Sequence, residues 1–598
     1  MYNSIKELYS ILSKKQKKRI LKLQFLVITM AVLELVSVSS IAPFMALIGD
    51  LSLLESSGPI SNIYVMTGVS NPKDFVFILG IVLLLVLTIS TVFSVLTVWR
   101  LSTFAYDTGT EIADRLFNYY VENDWLFHMQ NNSSHLIKQI AGDSQRVTNN
   151  VLQPLLQLNA KFVLAVVLCS ALVIYRWEVA VGGLVVFSIA YILLFKVVRS
   201  RLDNNGKLIS KLTEERYKIM SEVFGGIKEL LLMGRRDNAK RNFKNSGIDL
   251  AKCQGINTAI GSTPRYIMEL IAFGSIISLL LYLYSKYDGN ISEILPVISL
   301  CALAGFKLLP AFQTIYTSIA QIRGNIAAFD AIKHDMLASK DFESIGDGTG
   351  SNNLGNIKDI ELDNVVFSYP GSRKPSLNKI SFKIEPQTTV AFVGASGAGK
   401  TTLIDMILGL LEPHKGKMVV SGTVMNQHNK RNWQDKIGYV PQSIFLTEGS
   451  ILQNVAFGLD DCNIDVKKVR TALNQAELLN YVDGLPDGLE TNVGERGVKL
   501  SGGQRQRIGI ARALYHDPEV LVFDEATSAL DGITEKTIMD AINLMGDDKT
   551  IIIIAHRLKT IENADVIYYL DKGLITDQGT YDDLLNKNKF FRKMADHA

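Results

Sequence analysis

The sequence has little cysteine and little net charge, and each shortage excludes a class of protein. Only four cysteines occur in 598 residues: Cys169, Cys253, Cys301 and Cys462. No two of them form a CxxC pair, which argues against a zinc site and against a disulfide framework. Lys plus Arg exceed Asp plus Glu by 3, which is too few to predict a nucleic-acid partner. Gly and Pro are at ordinary frequencies, so collagen-like and disordered chains are excluded.

The remaining composition is divided between two unlike halves. The first half holds long apolar runs, and the second alternates short strand-like runs with helical patterns. Between them, residues 346–355 are rich in Gly, Ser and Asn, as solvated linkers are. The sequence therefore predicts a membrane domain over residues 1–325, a linker over 326–356 and a second domain over 357–598.

Six apolar segments in the first half are close to the roughly 20 residues that a helix needs to cross a bilayer. They are residues 23–48, 75–99, 151–175, 179–198, 267–284 and 294–316. Lys and Arg concentrate before the first span and between the fourth and fifth, which predicts that both termini are cytoplasmic. The long polar connections at 100–150 and 199–262 predict helices that extend into the cytosol, whereas 175–177 is nearly a turn. The predicted fold of this half is an α-helical domain with six transmembrane helices.

Several ionisable residues interrupt these spans, among them Glu34 in the first, Arg265 and Glu269 at the start of the fifth, and Lys307 in the sixth. Charge at membrane depth is costly and commonly faces a cavity or a partner. Arg265 and Glu269 are four residues apart, so they can pair on one helical face, and Lys307 can extend its ammonium group to the inner boundary. The alternative hypothesis is that the four residues form a substrate site, in which the two cations attract an anionic head group.

The second half contains a phosphate-binding loop. The strand-like run 388–394 leads into Gly394-Ala-Ser-Gly-Ala-Gly-Lys400-Thr401, which fits GxxxxGK[ST], and a helical pattern follows. The glycines let backbone N–H groups turn toward phosphate oxygens, and the helix N-terminus adds partial positive charge. Lys400 is suited to neutralise the β- and γ-phosphates of ATP, and the Thr401 hydroxyl to bind Mg²⁺.

Two further strands of the second half end in polar side chains. The run 520–523 precedes Asp524 and Glu525, and the run 550–555 precedes His556. Ligands of parallel α/β sheets bind at the carboxyl ends of strands. We therefore expect Asp524 to bind Mg²⁺, Glu525 to activate the attacking water, and His556 to contact the γ-phosphate.

The segment Leu500-Ser-Gly-Gly-Gln504 decides the class of ATPase. A Ser-Gly-Gly turn at a helix start can present a hydroxyl and backbone N–H groups to an anion. Together with the phosphate loop, it makes residues 357–590 resemble the nucleotide-binding domain of an ABC transporter, an α/β P-loop NTPase. The resemblance implies that Ser501 and Gly503 close over ATP held by a second subunit, so that two nucleotides lie at a dimer interface.

The resemblance also assigns the remaining residues of the site. It implies that Gln442, in Tyr-Val-Pro-Gln, senses Mg²⁺ and the attacking water, and that Glu525, His556 and Gln442 are catalytic. It implies Mg²⁺ ligands at Thr401, Gln442 and Asp524. The ATP-binding residues that it implies are Tyr369 (stacked on adenine), Gly394, Ser396, Gly397, Gly399, Lys400, Thr401, Thr402, Ser501, Gly502, Gly503, Gln504 and Asp531.

The fused domains favour one kind of ABC protein. Soluble ABC ATPases of DNA repair or translation lack the apolar spans, and importers normally carry their membrane subunit on a separate chain. Residues 221–235 resemble an inward loop of exporters. A chain with one membrane domain and one nucleotide domain is half of a transporter, so a homodimer is the default assembly, with a heterodimer as the alternative. A function outside transport, as an ATP-gated channel or a channel regulator, is a further alternative.

The membrane half is similar in layout to bacterial flippases for the lipid-linked oligosaccharides of protein glycosylation. The shared features are Glu34 before an Ala-Pro-Phe turn at Pro43, Thr-Pro-Arg265 followed by Glu269, and Phe-Lys307-Leu-Leu-Pro. This resemblance implies a polyprenyl-pyrophosphate oligosaccharide as substrate, membrane lipids as partners and a location in the bacterial inner membrane. It also implies that residues 51–67 form an external helix that contacts the lipid tail. An exporter of lipid A-type lipids or of drugs is the alternative.

Overall fold

The chain divides into a helical unit and an α/β unit. The helical unit comprises Met1–Asn123 and His128–Phe342, and the α/β unit comprises Asp124–Phe127 and Glu343–Ala598. The structure is a computed structural model that describes residues 2–49, 54, 59–69, 71–286, 291–341, 354–525, 548–555 and 558–596.

Long helices with short connections build the helical unit. They are α1 (Tyr2–Ile11), α2 (Lys14–Gly49), α3 (Pro59–Thr67), α4 (Pro72–Glu122), α5 (Trp125–Gln130), α6 (Ser133–Ile137), α7 (Ser144–Val147), α8 (Gln153–Gly225), α9 (Ile227–Leu232), α10 (Arg236–Lys286) and α11 (Ile291–Asp341). Two π-helical turns, Lys138–Asp143 and Thr148–Leu152, flank α7. Helix α5 begins within the four residues that belong to the α/β unit.

Helix α8 reverses direction inside its assigned bounds. An unbroken helix of 73 residues would be about 110 Å long. Arg146, which precedes α8, nevertheless donates a hydrogen bond to the Ser210 Oγ at 2.8 Å and another to the Gly206 carbonyl oxygen at 3.3 Å. The chain therefore turns back about midway between these residues, close to the short link predicted at 175–177, and α8 comprises two antiparallel arms.

Among the described residues, four helices are long and apolar enough to cross a membrane: Lys14–Met45, Pro72–Glu122, Ser133–Ile174 and Arg236–Tyr282. They include all of the second predicted span and most of the first, third and fifth. The fourth and sixth fall in α8 and α11, partly on residues whose side chains lie outside the described part of the chain. Large apolar side chains in these helices are exposed, such as Leu84 at 64% and Trp99 at 65%. Such a surface suits contact with lipid rather than with water.

Helix α11 corrects the predicted linker. It continues to Asp341, so the first part of the segment assigned to residues 326–356 is helical. The reason is an apolar stripe at helical spacing, in which Ala328, Phe329, Ile332 and Met336 are at most 1% exposed. The Gly- and Asn-rich residues that suggested a linker begin only after this helix has ended.

The α/β unit contains two sheets. Its strands are β1 (Ile360–Phe367), β2 (Leu377–Ile384), β3 (Thr389–Gly394), β4 (Lys415–Val420), β5 (Thr423–Val424), β6 (Ile437–Val440), β7 (Val520–Asp524), β8 (Thr550–Ile554), β9 (Val566–Asp571) and β10 (Leu574–Gly579). Four strands form an antiparallel sheet in the order β2-β1-β4-β5. The other six have the order β10-β9-β3-β8-β7-β6, in which all pairs except β10 with β9 are parallel.

Helices connect and cover these strands. They are α12 (Lys400–Ile407), α13 (Lys430–Gln434), α14 (Ile451–Val455), α15 (Val466–Gln475), α16 (Leu479–Asp483), α17 (Gly502–Leu514), α18 (Tyr581–Lys587) and α19 (Lys589–Asp596), with 3₁₀ turns at Asp461–Asn463, Gly488–Glu490, Glu495–Gly497 and Leu558–Ile561. Every residue of β3 and β8 is buried, as expected for parallel strands covered on both faces. The carboxyl ends of β3, β8 and β7 therefore meet at one edge of the sheet.

Candidate functional site

The loop between β3 and α12 is built around glycines in conformations that other residues rarely adopt. Gly399 has a φ of 105° and caps the N-terminus of α12. A Cβ at this position would lie 2.7 Å from the carbonyl oxygen of Ser376. Both the backbone conformation and the close approach therefore require glycine. The predicted strand, loop and helix are all present in this order.

Lys400 lies at the start of α12 and points back over the loop. Its Nζ donates hydrogen bonds to the carbonyl oxygens of Gly394 at 2.7 Å and Ala395 at 3.2 Å. The pKa of Lys400 is lowered, because burial outweighs the negative charges of Glu525 and Asp524, which act to raise it. The ammonium group is thus held inside the curve of the loop, where phosphate oxygens are predicted to bind.

The two carboxylates predicted at the end of β7 lie beside this loop. Glu525 has a φ of 50°, a conformation unusual for a non-glycine residue and often found at functional sites. Its Oε2 accepts a hydrogen bond of 2.6 Å from the Nε2 of Gln442. Asp524 Oδ2 accepts one of 3.4 Å from the hydroxyl of Tyr439. Strands β6 and β7 are adjacent, which is why residues 83 positions apart come together.

A cavity of about 740 Å³, which we name the loop cavity, brings together eight of the predicted nucleotide-site residues. It is lined by Lys374, Pro375, Ser376, Ser396, Gly397, Ala398, Gly399, Lys400, Thr401, Thr402, Gln442, Glu525, Ile554, Lys572 and Gly573. Its volume is within the range of sites for small ligands. The sequence analysis missed Lys374 and Lys572, which add two cations to the lining. The only signal for Lys572 was its position in the β9–β10 hairpin. This hairpin contacts the phosphate loop, because the Gly573 N–H donates a hydrogen bond to the Ala398 carbonyl oxygen.

These residues fit ATP and Mg²⁺. The cavity combines a glycine loop, a helix N-terminus and lysines, which are the groups that bind phosphates. No cluster of three His, Cys, Asp or Glu side chains able to hold a metal occurs among the described residues. Mg²⁺ is usually held by one or two carboxylates together with substrate phosphates and water. The hydroxyl of Thr401, the amide of Gln442 and the carboxylate of Asp524 are the groups predicted to hold it, and that assignment stays a prediction.

Tyr369, like Gly394, is a predicted ATP-binding residue that is not part of the lining of the loop cavity. Its hydroxyl lies 3.2 Å from the Thr402 Oγ1, and its ring meets Phe367 edge-on with centroids 5.1 Å apart. The ring is thus fixed next to helix α12, and its stacking on adenine stays a prediction.

The Ser-Gly-Gly turn forms a helix start, as predicted, but at a distance from the loop cavity. Ser501 caps α17: its Oγ accepts from the Gln504 N–H at 3.2 Å, and its own N–H donates to the Gln504 Oε1 at 2.8 Å. The lining of the loop cavity includes none of the four residues 501–504. Within one chain this turn and the phosphate loop therefore do not line the same cavity; Gly502 lines a second cavity, which it shares with Gln442. The predicted positions Asp531 and His556 lie outside the described residues.

Behind the loop, helix α12 carries a buried carboxyl that the sequence analysis did not identify. Asp405 is 9% exposed. Burial, together with the charge of Asp524, raises the pKa of Asp405 to about 6, while a hydrogen bond from the Trp125 side chain opposes the rise. Trp125 belongs to the four residues 124–127 that are part of the α/β unit, and its neighbour Leu126 packs against the apolar core there.

The predicted substrate residues in the membrane half form two ion pairs. Arg265 Nε and Glu269 Oε1 are 2.7 Å apart, one helical turn from each other. Lys307 Nζ lies 3.5 Å from Glu34 Oε2, and the hydroxyl of Ser94 donates to Glu34 Oε1 at 3.1 Å. Each cation therefore has a carboxylate partner. The Lys307 and Arg265 side chains keep 40% and 56% exposure, so both remain accessible to a ligand.

Known proteins resemble the chain in both units. Residues 25–303 match the family described as ABC transporter transmembrane region, and residues 377–528 match the family described as ABC transporter. The ATP-dependent lipid A-core flippase of Pseudomonas fluorescens (strain Pf0-1) is 28% identical over 80% of this chain and 78% of that protein. The heterocyst differentiation ATP-binding protein HepA of Nostoc sp. (strain PCC 7120) is 29% identical over 82% of this chain and 81% of that protein.

A solved structure shares the whole fold. It is a bacterial Atm1-family ABC exporter with ATP bound. The match covers 97% of this chain and 98% of the exporter chain, with a TM-score of 0.77 and 22% sequence identity. At this identity the likeness establishes the fold alone, a transmembrane helical domain followed by an α/β domain.

Proposed function

The chain is an ABC exporter half-transporter that couples ATP hydrolysis to transport, and we propose that a homodimer of it flips an anionic lipid of the lipid A type. The observation that carries the choice of substrate is the relatedness to lipid A-core flippases over about four fifths of both chains. This proposal replaces the lipid-linked oligosaccharide as the first candidate, because the relatives support the alternative substrate better.

We assign the steps of ATP hydrolysis to residues of the loop cavity. Lys400 and the N–H groups of the glycine loop bind the phosphates. Mg²⁺, when bound with ATP, supplies positive charge at the oxygens where negative charge develops in the transition state. Glu525 accepts a proton from the attacking water, and Gln442 holds the Glu525 carboxylate in place through the 2.6 Å hydrogen bond.

The separation of the two anion-binding helix starts supports the homodimer. The Ser501 turn, which resembles the part of an ABC protein that closes over ATP, is outside the loop cavity of its own chain. A second copy related by two-fold symmetry would supply this turn to each loop cavity, so that two equivalent sites are completed at once. ATP then binds the closed dimer better than the open one, which is the differential affinity that a conformational change requires.

The membrane half offers polar groups where a charged head group would travel. Glu34 and Lys307 connect α2 with α11 inside a largely apolar bundle, and such residues commonly mark substrate pathways. A phosphate on the lipid competes with Glu34 for Lys307, so binding and opening of the ion pair would be coupled. The proposed location is the bacterial inner membrane, with both termini in the cytoplasm.

One structural observation favours the lipid-linked oligosaccharide as a second candidate. Residues 51–67 were predicted to form an external helix against a polyprenyl tail; Pro59–Thr67 is helical, and residues 51–53 and 55–58 lie outside the described residues. Val65 and Met66 on this helix are 74% and 86% exposed, which gives it an apolar surface for a lipid tail. Both candidates are large lipids with phosphate-bearing head groups, so a direct comparison of the two is informative.

The test is ATP-dependent movement of labelled lipids in proteoliposomes that contain the full-length protein. Three arms carry a labelled lipid A-type lipid, a polyprenyl-pyrophosphate oligosaccharide or neutral phosphatidylcholine. We expect ATP to move the first faster than the other two, and the Glu525→Gln protein, reconstituted to the same density, to abolish the difference.

Each alternative has its own result. Faster movement of the polyprenyl-linked glycan than of the lipid A-type lipid would make the lipid-linked oligosaccharide the first candidate substrate. Movement of all three lipids at the rate of the Glu525→Gln control would refute lipid flipping. Movement only down a gradient, with ATP needed for opening alone, would identify a gated channel instead of a pump.

A further inference from the structure

A cleft in the helical unit combines an aromatic wall with two cations. We name it the aromatic cleft. Its volume is about 470 Å³, and it is lined by Phe187, Ser188, Tyr191, Ile192, Phe195, Lys196, Arg199, Phe312, Ile315, Tyr316 and Ile319. The first seven follow one another at helical spacing along the second arm of α8, and the last four do so along α11. Two continuous helix faces thus meet along the cleft.

Aromatic rings line most of the length of the aromatic cleft. Phe187 stacks on Phe312 with ring centroids 6.3 Å apart, and Tyr191 lies 5.7 Å from Tyr316. Phe195 completes the row, edge-on to Tyr316 at 6.5 Å. This lining is apolar except for hydroxyl groups, and it suits a hydrocarbon chain.

Two of these hydroxyls have no partner. The Tyr191 and Tyr316 hydroxyl oxygens are buried and make no hydrogen bond with any described residue, and Tyr316 as a whole is 4% exposed. Buried polar groups are nearly always hydrogen-bonded, so an unpaired one calls for an explanation. A lipid whose ester oxygens enter the aromatic cleft beside its hydrocarbon chain would supply acceptors for both.

The cations stand at one end of this row. Lys196 and Arg199 are one turn apart on α8, and neither forms an ion pair with any residue that the structure describes. By contrast, nearby Arg323 on α11 is neutralised by Asp203 at 2.6 Å. Lys196 lies about 20 residues beyond the reversal of α8, or about 30 Å at 1.5 Å per residue, which is the thickness of the hydrocarbon core.

With cytoplasmic termini, the two cations therefore lie at the head-group level of the inner leaflet, and the aromatic row extends toward the bilayer centre. We propose that the aromatic cleft binds an anionic phospholipid of the cytoplasmic leaflet. Its phosphate contacts Lys196 and Arg199, and one acyl chain lies along the aromatic row. The order of charge and apolar surface along the cleft matches that of the lipid. This site is separate from the transported lipid, and it does not depend on the identity of the substrate.

The experiment uses the full-length protein in nanodiscs of phosphatidylcholine with a small fraction of phosphatidylglycerol that carries a photoreactive acyl chain. After illumination, peptides are mapped by mass spectrometry. We expect labels on residues 187–199 and 312–319, and weaker labelling by phosphatidylcholine with the same photoreactive chain. No ATP is present, so failure of the proposed transport function leaves this result unaffected.

Charge removal provides the decisive comparison. Loss of one cation beside an anionic lipid weakens association about fivefold, so Lys196→Gln with Arg199→Gln should reduce labelling by at least about tenfold. Lys207→Gln with Lys211→Gln removes the same charge from α8 outside the aromatic cleft and should leave labelling unchanged. Tyr316→Phe should reduce labelling less, because it removes one hydroxyl and keeps the ring.

Four outcomes would overturn the proposal. Equal labelling by the two phospholipids, or equal loss in both double variants, would show that the cations do not select the lipid. Labelling elsewhere on the protein but not in the aromatic cleft would show that the cleft is closed, for instance by a second copy of the chain. Competition by excess lipid A but not by excess phosphatidylglycerol would assign the cleft to the transported lipid.

Discussion

Two glycines of the phosphate loop differ in what surrounds them, and this difference makes a quantitative test. Gly397 and Gly399 have φ values of 79° and 105°, so alanine at either position adds about 1–2 kcal/mol of backbone strain. A Cβ on Gly397 would meet nothing within 4 Å, whereas one on Gly399 would lie 2.7 Å from the Ser376 carbonyl oxygen. Only Gly399→Ala must therefore displace the backbone at Ser376. In a packed site this displacement adds about 1–3 kcal/mol to the strain.

These energies predict affinities. Gly397→Ala should weaken ATP binding by about tenfold, since 1.4 kcal/mol corresponds to a factor of ten. Gly399→Ala should weaken it by a further factor of about ten or more. The assay is equilibrium titration of the purified full-length proteins with a fluorescent ATP analogue and Mg²⁺, with melting temperatures recorded to confirm folding. Equal affinities for the two variants would refute the argument that contact with Ser376 fixes the shape of the loop.

The remaining predictions concern three carboxylates. Glu525→Gln should lower ATP turnover by about 10²–10⁴-fold but preserve ATP binding, because the new amide oxygen can still accept the hydrogen bond from Gln442; a wild-type ATPase rate would contradict this role. The raised pKa of Asp405, about 6 against an ordinary 3.8, means that its ionisation destabilises the fold as pH rises through that interval. Asp405→Asn should therefore raise the melting temperature at pH 7.5, corresponding to about 1–2 kcal/mol after allowance for solvent screening, and leave it unchanged at the acid end of this interval; the same shift at both pH values would contradict the assignment. Glu34→Gln should lower the melting temperature in detergent more than Glu269→Gln, because Glu34 is 10% exposed and Glu269 is 33% exposed and a buried pair suffers more from loss of one partner; equal shifts would contradict this.

The nucleotide site was largely predictable because its chemistry lies in short, contiguous motifs. The loop from Gly394 to Thr401 and the carboxylates Asp524 and Glu525 each follow a buried strand, and parallel strands bring their carboxyl ends together. A local pattern therefore sufficed to place them at one edge of the sheet. Lys374 and Lys572 were missed, because nothing in their immediate sequence distinguishes them from ordinary surface lysines.

The pairing in the membrane half could be predicted only where it is local. Arg265 and Glu269 are one turn apart, so the helical period alone makes their contact possible. Glu34 and Lys307 are separated by 273 positions, and their pairing depends on how α2 and α11 pack. A single sequence, read by itself, carries no signal for such a contact.

The extent of the last membrane helix was misjudged for a related reason. Composition suggested a linker from residue 326, but burial of Phe329 and Ile332 against the rest of the bundle continues the helix to Asp341. Helical stability in proteins comes mostly from such packing, and polar residues such as Asp330 interrupt the apolar stripe in the sequence.

The central claim is that each ATP site is completed by a second copy, and mixed dimers test it most directly. Lys400→Ala disables the phosphate loop, and Ser501→Arg disables the turn that is proposed to act in the other copy. When the two variants are co-expressed with different tags and the mixed dimer is purified, one of its sites combines an intact loop with an intact turn. We predict that this mixed dimer hydrolyses ATP at a rate well above that of either variant homodimer. An ATPase rate equal to the mean of the two variant homodimers would contradict the account.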